Sequence, residues 1–238
     1  MILASINSQT KTIYMTSFMR DLYANIPNVG IRKLNSAYAV GGGPLLVSTI
    51  ESNYRVDIDN YASVDFSSMA NIIDLVGGVD LEVSTQEAGY INMYLDEQCR
   101  LQGLNASDYY VTGGGITHLN GNQAVGFARI RYTSRGSEHS DYGRTSRQRE
   151  ILVQLMQKAR SLDATTLLAV VNNMLPLITH NIDAATLTTL LANAPSYINY
   201  DIHTDRIPYD NMYTNLGEEL VPDFEATINR LHQTIYGN

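Results

Sequence analysis

The stretch Met1-Ile2-Leu3-Ala4-Ser5-Ile6-Asn7-Ser8-Gln9-Thr10-Lys11-Thr12-Ile13-Tyr14-Met15-Thr16-Ser17-Phe18-Met19-Arg20-Asp21 decides how the chain is built. Ile2–Ile6 and Thr12–Phe18 are two short β-prone runs, and Asn7–Lys11 between them has the polar character of a five-residue hairpin loop. Directly after the second run, Arg20 and Asp21 sit at a strand's C-terminal edge, where open α/β sheets bind their ligands. Two readings of Arg20 stand side by side: it joins an anion pocket, or it pairs locally with Asp21 and pins the loop.

Outward from this hairpin, a loop region leads to Gly41-Gly42-Gly43-Pro44, with Pro44 suited to the first turn of a helix over Leu45–Tyr54. A strand at Asn60–Val64, a helix at Ser67–Val76 closed by Gly77-Gly78, and a strand at Val79–Val83 follow. The remaining periodicity predicts helices over Thr85–Leu101, Asn120–Ala128, Gly143–Ser161, Ala164–Ile178 and Asp183–Ala192, and a late strand around Ile198–Asp205. No internal repeat, Pro/Ser-rich linker or charge block marks a boundary. The expected fold is α/β: one domain over residues 1–238, with a central, mostly antiparallel or mixed β-sheet flanked by α-helices on both faces. Its motif-bearing part runs to about residue 160, and a helical part covers 161–238.

The composition narrows the function classes. The 238 residues are 44% hydrophobic, enough for a substantial core, and the single Cys99 rules out an intrachain disulfide or a thiolate zinc site. Sixteen basic residues against 24 acidic ones leave a net charge of -8, which argues against nucleic acid as a partner. No segment approaches the roughly 20 apolar residues of a membrane span, so the chain reads as soluble. It also lacks a signal peptide, and Met1–Asn7 reads as a strand already under way, which implies a natural protein that extends further upstream.

The average charge hides an asymmetry. Six of the 16 basic residues, all arginine, lie between Arg129 and Arg149, opposed there only by Glu138 and Asp141. At about 100° per residue, Arg144 and Gln148 share a helical stripe with Ile151 and Leu155, with Arg147 at its edge. Arginines on the inward stripe need an acidic or phosphate partner. If Arg129-Ile130-Arg131 is extended, its two arginines share one side. Planar guanidinium forks suit a diphosphate better than lysines do, and 13 of the 16 basic residues are arginine. The competing reading is purely structural: ion pairs with Asp21, Glu138, Asp141 or Glu150.

Other signals carry less. The glycine runs at 41–43 and 113–115 lack P-loop or dinucleotide context and read as turns. The five histidines have no metalloprotease spacing, no Gly-x-Ser-x-Gly elbow is present, and the 16 tyrosines fit either a sugar site or ordinary packing.

Taken together, Ser17-Phe18-Met19-Arg20-Asp21, Ile26-Pro27, Lys33-Leu34-Asn35 with Ala37-Tyr38 and Gly41-Gly42, Val76-Gly77-Gly78-Val79, Leu119-Asn120-Gly121-Asn122-Gln123-Ala124, Arg129-Ile130-Arg131 and Asp141-Tyr142-Gly143-Arg144 with Arg147-Gln148 resemble the LytR-CpsA-Psr family of Gram-positive bacteria. The resemblance spans about Met1–Ala159. It implies a membrane-anchored phosphotransferase on the extracytoplasmic face of the membrane. Such an enzyme moves a teichoic-acid or capsule glycopolymer phosphate from undecaprenyl diphosphate to peptidoglycan. It places the diphosphate among Arg20, Arg129, Arg131, Arg144 and Arg147, with Asp141 and Gln148 in the same site, and gives Arg20, Asp141 and Arg144 catalytic roles. It also implies Mg²⁺, held by an acidic pair just upstream of the position of Met1, so that no metal ligand is expected within this chain, which is then expected to be inactive or to transfer poorly by itself, and the membrane anchor is expected upstream as well.

Phosphoryl transfer of this kind calls for positioning and charge stabilisation, with a carboxylate taking the proton of the acceptor hydroxyl. Asp141 is a candidate for that base or for an arginine-orienting group. Two rival functions use the same residues: a polyprenyl-phosphate or glycan binding module without turnover, and a LytR-type transcriptional attenuator. The net charge and the inward arginines count against the second.

Overall fold

A computed structural model describes residues 1–133 and 140–237. In chain order the strands are β1 (Ile2–Asn7), β2 (Thr12–Phe18), β3 (Tyr23–Ile26), β4 (Gly30–Lys33), β5 (Ala62–Ser63), β6 (Val79–Val83), β7 (Gly115–Leu119), β8 (Thr179–His180), β9 (Asp201–Ile207), β10 (Tyr213–Leu216) and β11 (Glu219–Pro222). The helices are α1 (Asn35–Tyr54), α2 (Phe66–Leu75), α3 (Thr85–Gln102), α4 (Gly121–Arg129), α5 (Ser140–Arg160), α6 (Ala164–Met174), α7 (Ala184–Tyr197) and α8 (Phe224–Tyr236). The α/β class with mixed and antiparallel sheets is as expected. The chain divides into two compact units, Met1–Ser63 with His180–Asn238, and Val64–Thr179.

In the first unit the opening hairpin has the expected bounds. β1 runs antiparallel to β2, from Ile2 opposite Ser17 to Asn7 opposite Thr12. β9 adds on the far side of β2 in parallel, Thr12 opposite Asp201 and Phe18 opposite Ile207. β2 is therefore central, and all its residues but Tyr14 are buried, so it lacks the one-sided alternation of a solvent-facing strand.

The region read as a loop after Arg20 is in fact a second hairpin, β3 against β4, reversed through Asn28 (φ 62°) and Gly30 (φ 94°). The helix expected from Leu45 starts at Asn35 and breaks at Gly41 and Gly42, whose backbone leaves helical geometry just before Pro44 restarts it. Phe18, Met19, Leu22, Leu34, Tyr54, Ile207, Ile228 and Leu231 are buried within this unit. The hairpin of β10 and β11 and the helix α8, capped by the Asp223 carboxylate, were not read from sequence.

In the second unit, β6 and β7 form an antiparallel ribbon from Val79 opposite Leu119 to Val83 opposite Gly115. Gly113–Gly115, read as a turn, delivers the chain into this ribbon: all three residues have positive φ, and Gly114 N–H donates to Val83 C=O. The core beneath is built from Ile73, Leu81, Ile91, Leu95, Leu119, Phe127, Ile130 and Ile151. Helix starts are set by side-chain caps: Asp65 on α2, the Ser84/Glu87 capping box on α3 and the Asn120/Gln123 box on α4. Gly121 lets α4 begin against α2, since a Cβ there would lie 2.0 Å from Ala70 C=O. The helix predicted to Ile178 ends at Met174 and tightens into a 3₁₀ turn over Leu175–Leu177, where Pro176 removes a donor.

Candidate functional site

Two arginines of the arginine-rich segment, Arg131 and Arg144, meet at Asp141 in the first turn of α5. Arg144 Nη2 lies 2.8 Å from Asp141 Oδ1 and donates to Oδ2 at 2.9 Å, while Arg131 Nε is 3.8 Å from Oδ1. Asp141 and Arg144 keep 16% and 13% of their side-chain surface exposed and Arg131 keeps 40%, so the cluster is reachable from solvent but mostly out of it. Two guanidinium groups gathered at one carboxylate present forked donors in a partly desolvated place, an arrangement suited to an oxyanion. Asp141 thus orients arginines. Arg135, His139 and Glu138, the last weighed as an ion-pair partner, lie outside the described residues.

Arg147 departs from expectation. Read as the edge of the inward stripe and as a diphosphate ligand, it is instead the most enclosed member, with no side-chain exposure. Its Nε donates to Glu87 Oε1 at 3.0 Å, its other nitrogens reach Ile130 C=O and Thr133 C=O, and its guanidinium lies 5.7 Å from the Phe127 ring centroid. Glu87 is 2% exposed and at the same time accepts from Ser84 N–H and Oγ–H at the start of α3. The buried charge is affordable because a carboxylate from 60 residues earlier meets it, a partner absent from the sequence-level set of Asp21, Glu138, Asp141 and Glu150. In this geometry Arg147 holds the backbone carbonyls on the Arg131 side of the cluster and is a positioning residue. Gln148 lies half-buried one turn beyond Arg144.

Arg129 ends α4 with its side chain 27% exposed. Its guanidinium lies 4.6 Å from the Tyr94 ring centroid and 5.1 Å from that of Phe66, and the Tyr94 hydroxyl donates to Arg129 C=O at 3.0 Å. Glu97 Oε2 stands 3.6 Å from Nη2, longer than a hydrogen bond.

In the first unit, Arg20 Nε donates to Asp21 Oδ2 at 3.2 Å, with Arg20 still 39% exposed. The local pairing weighed for Arg20 is thus present, without enclosing the arginine. Lys33, part of the recognised motif but given no role from sequence, stands 3.4 Å from Asp21 Oδ1 and donates to Glu218 Oε2 at 3.0 Å. The hydrogen bond to Glu218 raises its pKa above the ordinary 10.5; desolvation opposes this, and the charge of Asp21 adds to the rise. The register of β3 and β4, which sets Lys33 opposite Tyr23, brings this cation to Asp21.

The described histidines serve local contacts. His118 Nδ1 is 2.8 Å from Asp80, which Lys158 of α5 also meets, and the hydrogen bonds from Lys158 and then His118 hold Asp80 below the ordinary carboxylate range. His232 approaches Tyr54 C=O, and His203 stacks near Tyr14. Among the described residues no three His, Cys, Asp or Glu side chains come together as a metal site, and the Asp141 carboxylate is engaged by arginine. These residues do not fit Mg²⁺, and no step below passes through it.

The described site thus sets an arginine pair on a shared aspartate and a third arginine against aromatic rings. The LytR_cpsA_psr family model matches residues 1–231, and the chain belongs to that family. It is 31% identical, over its whole length and 69% of the other protein, to a polyisoprenyl-teichoic acid–peptidoglycan teichoic acid transferase TagU of Oceanobacillus iheyensis. A TagU of the same description from Enterococcus faecalis is 32% identical over 73% of this chain, which spans about half (52%) of that relative. The fold matches a structure of TagT bound to LIIa-WTA with a TM-score of 0.75, covering 99% of this chain and 83% of the other at 20% identity. No described helix is long and apolar enough to cross a membrane.

Proposed function

We propose that this chain is the transferase module of a cell-envelope protein that moves a glycopolymer phosphate, of teichoic-acid or capsule type, from undecaprenyl diphosphate to peptidoglycan. The observation that carries the reading is the Arg131–Asp141–Arg144 cluster, whose forked donors suit the oxygens of a diphosphate. Family membership and the teichoic acid transferase activity named for the two TagU relatives support it.

In the proposed reaction the oxygen of a peptidoglycan hydroxyl attacks the phosphorus that carries the glycopolymer. The bond from that phosphorus to the bridging oxygen breaks, its electron pair leaves with undecaprenyl phosphate, and the hydroxyl proton passes to a carboxylate or to solvent. Arg144 and Arg131 bind the diphosphate and hold the charge that develops on the leaving phosphate. Asp141 keeps the two guanidinium groups in place. Arg147 and Glu87 fix the backbone behind them, and Arg129 supplies a further fork. Gln148 is read as a further diphosphate contact, with its alanine variant as the test.

The deciding assay incubates the protein with an undecaprenyl diphosphate-linked glycopolymer and peptidoglycan fragments, and measures polymer–peptidoglycan product and released undecaprenyl phosphate. The expected result is product formation that depends on Arg144, together with diphosphate binding that persists in EDTA. Binding with no product under any metal condition would make the chain a carrier-binding module, and absence of binding would refute the proposal.

A further inference from the structure

Arg129 is held in an unusual way for a half-buried arginine. Its one ionic contact among the described residues, to Glu97, is 3.6 Å long and involves a carboxylate that is 53% exposed. What surrounds the guanidinium instead is ring surface, Tyr94 at 4.6 Å and Phe66 at 5.1 Å from ring centroid to Cζ, both within cation–π reach. Tyr94 grips the residue twice, since its hydroxyl also donates to Arg129 C=O. Phe66 is the first residue of α2, seated by the Asp65 cap, and it stays 57% exposed.

Aromatic faces restrain the guanidinium without consuming its N–H donors, which lie in the plane and point outward from its edges. A carboxylate partner would restrain it too, but would occupy those donors and cancel the charge. We infer that Phe66 and Tyr94 are positioning residues that hold the Arg129 fork ready for a phosphate oxygen of the diphosphate while leaving its donors open. This rests on the proposed function, in that it takes the ligand of Arg129 to be a diphosphate.

The test is calorimetric titration with inorganic pyrophosphate and, separately, geranylgeranyl diphosphate, on the full chain and its variants. Phe66→Leu and Tyr94→Leu keep apolar volume but lose the ring, and each is expected to raise Kd about three- to tenfold without lowering the melting temperature by more than a few degrees. Tyr94→Phe keeps the ring and loses only the hydroxyl, so its Kd stays within about twofold of the parent. In an Arg129→Ala background, itself weakened, neither leucine substitution changes Kd further, because the rings act through Arg129.

The failures are distinguishable. If Arg129→Ala binds pyrophosphate and geranylgeranyl diphosphate like the parent, the diphosphate reading of this residue falls, and the ring proposal with it. If Arg129→Ala weakens binding but the leucine variants do not, or if they weaken it equally without Arg129, the ring proposal alone is overturned. Equal losses in Tyr94→Phe and Tyr94→Leu would assign the effect to the hydroxyl bond and also overturn it.

Discussion

Replacing Arg147 by methionine tests whether the arginines of α5 have separate tasks. The Arg147–Glu87 pair is enclosed, with side-chain exposures of 0% and 2% and an Nε to Oε1 distance of 3.0 Å. Removing one partner of such a pair leaves a desolvated charge, at a cost of about 3–5 kcal/mol. The contacts to Ile130 C=O and Thr133 C=O, at 3.4 and 3.3 Å, are long and add little. In a chain of this size each kcal/mol lowers the melting temperature by about 2–4 °C, so Arg147→Met should melt roughly 6–20 °C below the parent. Glu87→Gln should also destabilise, since it strands the arginine while the glutamine can still cap α3. The double variant Arg147→Met/Glu87→Gln removes both charges and should recover at least half of the larger single loss, because a buried pair exchanged for neutral groups is often close to neutral in stability. Far-UV circular dichroism melts give the midpoints, and hydrogen exchange on peptides from α3 and α5 locates the change. A fall of under about 3 °C for Arg147→Met, or a double variant no more stable than the worse single, would refute the argument that this pair is a charge compensated in the interior.

Arg144→Ala is expected to behave oppositely, losing at least about tenfold in pyrophosphate affinity while its melting temperature stays within a few degrees, since Arg131 remains beside Asp141. A large loss of stability with binding intact would make the cluster purely structural. Gly121→Ala should destabilise the second unit by about 2–4 kcal/mol, because its Cβ would overlap Ala70 C=O, a backbone atom that cannot swing aside; a parent-like melt would contradict that close approach. Burial raises Tyr54 well above its ordinary 10.0, and burial followed by the charge of Asp205 pushes Tyr209 up to about 12. Their contribution is therefore present below pH 10 and lost as pH rises above it, because the unfolded chain releases those protons first. Replacing both by phenylalanine should move alkaline unfolding to higher pH, measured by ellipticity alongside absorbance at 295 nm, and an unchanged alkaline limb would refute the assignment.

Local pattern alone was sufficient for several elements. The opening hairpin, the capped helices α2 to α4 and the arginine-rich helix α5 carry their periodicity, caps and breakers within a few neighbouring residues, and so they are legible in the sequence. So is the concentration of arginine around Asp141, a fact of composition. Which arginine faces a ligand and which is sealed inside was not legible. Arg144 and Arg147 are three residues apart and lie within about 60° on the helix, so periodicity could not rank them. The choice was made by Glu87, placed in the core by the packing of α3 against α4, and by the rings of Phe66 and Tyr94, which arrive at Arg129 from two other helices. A charge is tolerated in the interior only where its partner sits, and partners 35 to 63 residues distant in sequence are brought there by tertiary packing, which no local pattern encodes.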